Sequence, residues 1–466
     1  MDLVLKTSGQ RCPVGSNPTP SAEAVVPAVE RSPVSPRPER PRRQPVARHG
    51  ILKSPHPLSQ VLAILAAIVA VAVVSTTAVG AFYVWDAARA VQAAGVSIGG
   101  DDVQLPPTLG EIEGGANILV VGTDSCEGPN AALSGACQAG DTDGERNDVT
   151  MLVHISDQPR RVTVVSFPRD MIVPIPSCTG PRGTQYSAVC GQMLNASYMY
   201  GGLTCTVATI EKLTGVDIQF AAATRWTGVI AMSDAIGGVD VCVADDISDS
   251  HTGLNLTKGE HTLKGVEALQ FLRIRHGIGD GSDLGRISNQ QQFLSSLVRK
   301  LQSEGVLGNP ATLFNLANTA ISQVTADPPQ VVLSKSLANP QSMVQIAMAV
   351  RSVPYQDIVF VQYPTVYATG GSRVDPVTSA AKVLFDALAN NQPIQLTGST
   401  SDGYGTEVVG EATPSPADPG ATPSPTATGD AGATAAAPTP TQEAVQLPSS
   451  ITGQTAAQVT CTVAQR

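Results

Sequence analysis

The sequence predicts an α/β fold, a layered sandwich of strands and helices, preceded by one membrane-spanning helix. Three observations predict it. Short Val-rich runs bounded by turns read as buried strands. Amphipathic helical patterns are interspersed with them, as a layered α/β domain requires. Ahead of both stands an uncharged apolar run, "LAILAAIVAVAVVSTTAVGAFY", from Leu62 to Tyr83.

As a helix, that run would span roughly 33 Å, enough to cross a bilayer. The preceding segment, Met1–Pro57, holds 9 Lys/Arg against 4 Asp/Glu, and "RPERPRRQPVARHGILK" lies just upstream of the run. The positive-inside rule then puts the N-terminus in the cytoplasm and the rest of the chain outside. A cleaved signal peptide is the other reading, but the polar stretch before the run is far longer than a normal n-region. The expected plan is a disordered cytoplasmic segment (1–57), a transmembrane helix (60–84), a connector (85–115), an ordered extracytoplasmic domain (116–393) and a Pro/Thr/Ala-rich low-complexity tail (394–466). The net charge of −10 argues against a nucleic-acid binder, which needs a broad basic face.

Eight cysteines fit an exported domain. Cys12 falls on the cytoplasmic side and is expected as a free thiol. The other seven lie outside, where disulfides are expected. Spacing does not determine the pairing. The expected set joins sequence neighbours, Cys126–Cys137, Cys178–Cys190 and Cys205–Cys242, and leaves Cys461 odd. No pair has CxxC spacing, which argues against a zinc ribbon or a thioredoxin-like motif.

Within the ordered part, residues 117–124, 149–155 and 161–167 read as buried strands. Residues 206–215 and 226–238 read as helices, and 239–244 as a strand. A helix is expected over 263–272 and a longer one over 283–305. In the latter, Ile287, Leu294, Leu297, Val298 and Leu301 share a face and Asp283 is the expected N-cap. A helix over 311–324, a strand over 357–364 and a helix over 376–391 complete the domain.

If the first three strands form an antiparallel meander, one sheet edge collects Asp124, Arg146, Asp148, Arg169 and Asp170. Two carboxylates among arginines suit a magnesium ion and phosphate oxygens. The same residues also suit ordinary turns at strand ends. A second concentration of charge is "RIRHGIGDGSDLGR", Arg273 to Arg286. On an extended segment Arg273 and Arg275 point the same way. Arg286 would sit in the first turn of the next helix, where a cation opposes the helix dipole unless an anion is bound. Gln290 and Gln291 extend this polar surface. Surface ion pairs with Asp280 and Asp283 are the plainer alternative. His154, inside an apolar strand, reads as a core histidine, and His276 is a weaker site candidate than its arginine neighbours. "NASYMYGG" (195–202) reads as a turn. The chain has no GxSxG, HExxH or Walker A sequence.

Taken together and in order, "NILVVGTDS", "RNDVTMLVHI", "VTVVSFPRDMIVPIP", "LNASYMYGG", "GVIAMSDAIGGVDV", "GEHTLKGVEALQFLRIRH" and "DLGRISNQQQF" resemble the LytR–CpsA–Psr family of membrane-anchored cell-wall ligases. The resemblance covers about 117–300 closely and continues more loosely to about 392. It implies an α/β/α sandwich with a central mixed sheet and a hydrophobic tunnel for a polyprenyl chain. By resemblance, Asp124 and Asp148 match magnesium ligands, with manganese as the alternative ion. Arg146, Arg169, Arg273 and Arg275 match catalytic arginines, and Arg286, Gln290 and Asp170 match pyrophosphate-binding positions. The implied reaction moves a glycopolymer with its proximal phosphate from a polyprenyl-pyrophosphate carrier to a peptidoglycan hydroxyl. The implied partners are that lipid-linked glycan, peptidoglycan and the membrane. Three departures stand out: the first motif runs "GTDSC" where the family often has Ser followed by Arg, the 124–148 loop is long and carries a cysteine pair, and Asn289 stands where the family usually has arginine. A pyrophosphatase acting on the same lipid, or a non-catalytic lipid-binding regulator, are the competing functions.

Overall fold

The computed structural model describes residues 56–99, 112, 114–140, 144–180, 183–302, 309–371, 373–401, 403–412 and 443–465. The chain divides into two units, Met1–Val71 and Ala72–Arg466. The expected disordered segment, all but its last two residues, lies outside the described residues, as do 100–111 and 113 of the connector and 413–442 of the expected tail.

Helix α1 (Pro57–Ala94) is longer than the expected anchor. It is long and apolar enough to cross a membrane. Its last turns absorb the start of the expected connector, where Val91 is buried against Val324, Leu333 and Ala338.

Strands β1 (Ala116–Asp124), β2 (Arg146–Ile155) and β3 (Val162–Phe167) form the expected antiparallel meander. They are the centre of a seven-stranded sheet. Phe220–Arg225 runs parallel to β1 and is flanked by Val331–Leu333; Ile358–Gln362 runs parallel to β3 and is flanked by Gly453–Thr455. The sheet is therefore mixed, as the resemblance implied. Alternate residues of one strand face opposite layers. Leu119, Leu152 and Val165 pack on one side with α3 (Ala196–Thr214) and α9 (Thr378–Ala389). Ile118, Met151 and Val164 pack on the other with α6 (Asp283–Gln302) and α8 (Pro340–Arg351). This is an α/β/α sandwich. Between these layers in sequence come the short α2 (Gly135–Gln138), then α4 (Trp226–Ala235), α5 (Gly265–Arg273) and α7 (Pro310–Thr325).

The structure corrects four expectations. First, "NASYMYGG" supplies the first turns of α3, which contains a backbone break at Gly201 and Gly202. Gly202 takes φ 63°, which glycine adopts without a Cβ clash, so a turn signal sits inside a helical element. Second, Arg273 is the last residue of α5, not part of an extended segment. Third, Ser282 rather than Asp283 caps α6: its Oγ accepts from Gly285 N at 3.2 Å. Fourth, the tail is not featureless. Residues 406–411 and 458–462 join Val239–Val243 and Gly259–Leu263 in a four-stranded sheet. The Pro/Thr/Ala composition between them hid strands too short to show periodicity.

The disulfides are Cys126–Cys137, Cys178–Cys205 and Cys242–Cys461, and Cys190 is free and exposed. Only the first matches the expected pairing. Cys461 lies in register with Cys242 on the adjacent parallel strand, 219 residues away in sequence. Strand pairing, which spacing does not report, selects the partner.

Candidate active site

The meander brings its charged ends together. Asp124, the last residue of β1, faces Arg146, the first of β2, across the ladder. The Arg146 amide donates to Asp124 Oδ1 at 2.7 Å. Arg169 and Asp170 follow β3 on the same edge. Arg169 Nη1 reaches Asp148 Oδ1 at 2.8 Å, and its Nε lies 3.4 Å from Asp283 and 3.6 Å from Asp170. Arg286, from the first turn of α6, pairs with Asp283 at 2.6 Å and donates to the Asp148 carbonyl at 3.0 Å. The ion-pair alternative thus holds for Arg286, but inside the site: its side chain is 6% exposed.

This network is under-satisfied. Arg286 Nε and Asp283 Oδ2 are buried without a partner among the described residues, while Arg169 Nε and Asp283 Oδ1 meet through ion pairs only. A network of buried charge with spare donors is tuned for something other than stability alone, because each unmet buried polar atom costs free energy.

The remaining arginines stand near carboxylates without closing an ion pair among the described residues. Arg273 lies 4.1 Å over the Trp226 ring, and its Nη1 donates to the Leu133 carbonyl at 3.4 Å. Arg146 and Arg275 make no ion pair among the described residues. Arg275 lines a cavity of about 180 Å³ with Asp170, Asp283, Tyr367 and Arg373. Gln290, expected at the pyrophosphate, is buried and donates to the Leu272 carbonyl at 2.9 Å, which ties α6 to the end of α5.

Electrostatics separates the two central carboxylates. Burial, and then the Asp148 charge, push the Asp124 carboxyl up to about 7. Burial pushes Asp148 the same way, but Arg169 and Arg286 outweigh it and hold its pKa below the ordinary value. Burial raises Asp170, with Arg169 opposing. Burial lowers Arg273. One permanent anion therefore stands beside a carboxyl that exchanges its proton near neutrality, within an arc of guanidinium groups.

Sequence reasoning missed a second tier. Arg225 ends the strand that pairs with β1, opposite Thr123. It forks onto Glu145, with Nε at 2.9 Å and Nη2 at 2.6 Å, and reaches Glu127 at 3.1 Å. Thr123 Oγ1 donates to the same Glu145 at 2.5 Å. The signal was available, since "FAAATR" is an apolar run ending in arginine, but six residues of mostly alanine did not register as a strand. His154 is half-buried rather than a satisfied core histidine: Nδ1 lies 2.7 Å from Asn117 Oδ1, Nε2 is buried without a hydrogen-bond partner among the described residues, and burial lowers the ring to about 4.

Comparison with known proteins agrees with this architecture. The chain is 28% identical over 235 residues to the cell wall biosynthesis protein LcpA of Corynebacterium glutamicum, covering 46% of this chain and 45% of that protein. It is 31% identical over 215 residues to the probable cell wall biosynthesis protein LcpB of the same organism, covering 45% and 48%. It is 31% identical over 172 residues to a polyisoprenyl-teichoic acid–peptidoglycan teichoic acid transferase, TagU, of Bacillus cereus, covering 36% and 51%. The match spans about half the length of each of these relatives. Residues 87–384 match the LytR_cpsA_psr family, and with that match the chain belongs to it.

Proposed function

We propose that this protein transfers a glycopolymer, with its proximal phosphate, from a polyprenyl-pyrophosphate carrier to a peptidoglycan hydroxyl. The observation that carries the reading is the edge where Arg146, Arg169, Arg273 and Arg286 act on Asp124 and Asp148, with Arg275 nearby beside Asp170 and Asp283. Phosphoryl transfer asks a protein mainly for positioning and charge stabilisation, and this edge is built of both. The relatives' names, cell wall biosynthesis and teichoic acid transfer, agree with it.

In the proposed step the acceptor hydroxyl oxygen bonds to the glycan-side phosphorus. The bond from that phosphorus to the bridging oxygen breaks, and polyprenyl phosphate leaves with the electron pair. The hydroxyl proton passes to a base. Arg169 and Arg286 hold Asp148 in place and contribute positive charge. Arg275 and Arg273 face the phosphates, where Trp226 keeps the Arg273 guanidinium from folding back. Without a bound cation, Asp124, whose carboxyl burial pushes up to about 7, can hold the acceptor proton; a cation on it would lower that basicity.

The donor set also fits a divalent cation. Asp124 and Asp148 are neighbouring carboxylates whose mutual repulsion a cation would relieve. No cluster of three or more ligating side chains exists among the described residues. Magnesium suits that count, since it commonly takes one or two carboxylates and completes its shell with phosphate and water. When bound, magnesium (or manganese in its place) would offset pyrophosphate charge.

We further place the N-terminus in the cytoplasm and the domain outside. The three disulfides support an oxidising compartment. A tunnel for the polyprenyl chain is part of the same proposal.

The test uses the full chain in detergent, a polyprenyl-pyrophosphate-linked oligosaccharide, magnesium and peptidoglycan fragments. Mass spectrometry should find a phosphodiester-linked product, lost with Arg275→Ala. Free glycan phosphate without linkage would instead establish the pyrophosphatase. Tight lipid binding with neither product would leave a binding role.

A further inference from the structure

The loop between α5 and α6, residues 274–282, carries Arg275 and sets the approach of Arg273 and Arg286. Its glycines make it flexible by composition, with Gly277, Gly279 and Gly281 all at positive φ. An unsupported loop of this kind would not hold guanidinium groups within a fraction of an ångström. The support comes from residues outside the family match, which ends at 384.

Residues 463–465 lie along the loop as a short antiparallel bridge, Ile278 opposite Ala464. The Gly279 amide donates to the Val463 carbonyl at 3.1 Å, and the Gln465 amide to the Gly277 carbonyl at 2.9 Å. The Gln465 side chain returns a bond: its Oε1 accepts from the Gly277 amide at 2.9 Å. From the other C-terminal segment, the Gly403 carbonyl accepts from the Asp280 amide at 2.9 Å. Backbones meet so closely here that a Cβ on Gly279 would strike the Gly403 oxygen, and one on Gly405 the Gly285 oxygen.

The segment is itself anchored to the helix that carries Arg286. Cys461 is bonded to Cys242. Thr462 Oγ1 donates to Asn289 Oδ1 at 2.5 Å and also reaches Gln292 Oε1. Gln292 Nε2 donates to the Thr460 carbonyl at 2.8 Å and the Cys242 carbonyl at 2.7 Å. Asn289 Nδ2 donates to the Phe271 carbonyl at 2.7 Å, two residues before Arg273. The buried "NQQQ" run of α6 thus joins the C-terminal strand and the end of α5 in one polar network. Asn289, which departs from the family's usual arginine, is a member of that network.

We propose that the C-terminal segment is a brace that positions the arginine loop, with Gln465 as a positioning residue acting through Gly277. The claim rests on the transfer reading for its catalytic consequence, but not for its structural one. Gln465 is exposed, so its side chain contributes to the loop and little to the core.

The test compares Gln465→Leu with Gln465→Glu in the full chain in detergent. The second variant keeps an acceptor for the Gly277 amide. Hydrogen exchange should show the Gly279 and Asp280 amides exchanging several-fold faster in Gln465→Leu, with an unchanged melting temperature. These amides bond to groups the substitution leaves in place, so their loosening reports the loop. In the transfer assay, kcat/KM for the lipid-pyrophosphate donor should fall about fivefold, chiefly through KM, as loss of one hydrogen bond would give. KM for the acceptor should not move. Gln465→Glu should restore both readouts. Unchanged exchange and kinetics in Gln465→Leu, equal loss in Gln465→Glu, or loss accompanied by a lower melting temperature would each overturn the proposal. Absence of transfer in the unmodified protein would sink the functional reading alone, and the exchange result would still decide the brace.

Discussion

The two edges of the central meander are made by the same three strands and treat arginine in opposite ways. At the far edge Arg161 Nη1 donates to the Asn391 carbonyl at 3.2 Å, and Arg160 Nη1 to the Ser156 carbonyl at 2.6 Å. His154 sits there on Asn117. Each of these two arginine bonds ends on a backbone carbonyl of the fold. At the other edge Arg169 and Arg286 pair with carboxylates and Arg286 keeps a buried Nε unmet, while Arg146 and Arg275 make no ion pair among the described residues. An arginine that closes on backbone carbonyls is stitching a fold. An arginine held by carboxylates, with donors to spare, is being aimed.

Substitutions at the two edges should therefore separate activity from stability. Arg169→Ala should have the largest effect, lowering transfer by about 10²–10³-fold, the range for removing one preorganised charge donor. Steady-state kcat measures it. A loss under tenfold would mean that Arg169 serves the fold. Arg275→Ala should also cost about 10²-fold in transfer, yet leave the melting temperature within about 1 °C, because it breaks no ion pair. Differential scanning calorimetry beside the activity assay checks both halves.

At the far edge, His154 should produce an acid limb in stability. Its folded pKa, about 4, lies below the ordinary 6.5. The unfolded chain then takes up a proton that the folded chain refuses. The stabilisation is complete above about pH 6.5 and is lost as pH falls toward 4, by up to about 3 kcal/mol. Urea unfolding at pH 7 and pH 4.5 should show that His154→Gln flattens this limb. Arg161→Ala should have the smallest effect: about 1 kcal/mol of stability, and no change in transfer. A loss of transfer there would break the contrast between the edges.

Much of this site was legible in the sequence. Asp124, Asp148 and Arg169 sit at or near the ends of strongly apolar strands that are consecutive in the chain, the β2–β3 turn short and the β1–β2 loop long. Such strands pair with their sequence neighbours, so the shared edge follows from chain order. Arg286 was placed correctly in the first turn of its helix. Its ion pair with Asp283 was legible from the three-residue spacing. Gln290 was not, because a glutamine in a helix gives no sign of whether it faces a ligand or a backbone carbonyl. Arg225 escaped because its strand is mostly alanine, and Glu145 because only the fold brings it to Arg225.

The sequence by itself determined the local elements: the apolar helix and the meander with its charged edge. Each follows from the side chains of one short segment, through periodicity or alternation. Only the tertiary structure decided the disulfide partners, the return of residues 443–465 into the fold and the bracing of the arginine loop. These depend on contacts such as Cys242–Cys461 and Gly277–Gln465, made between residues far apart in sequence. No local pattern records such contacts, because they become favourable only once the intervening chain has already folded.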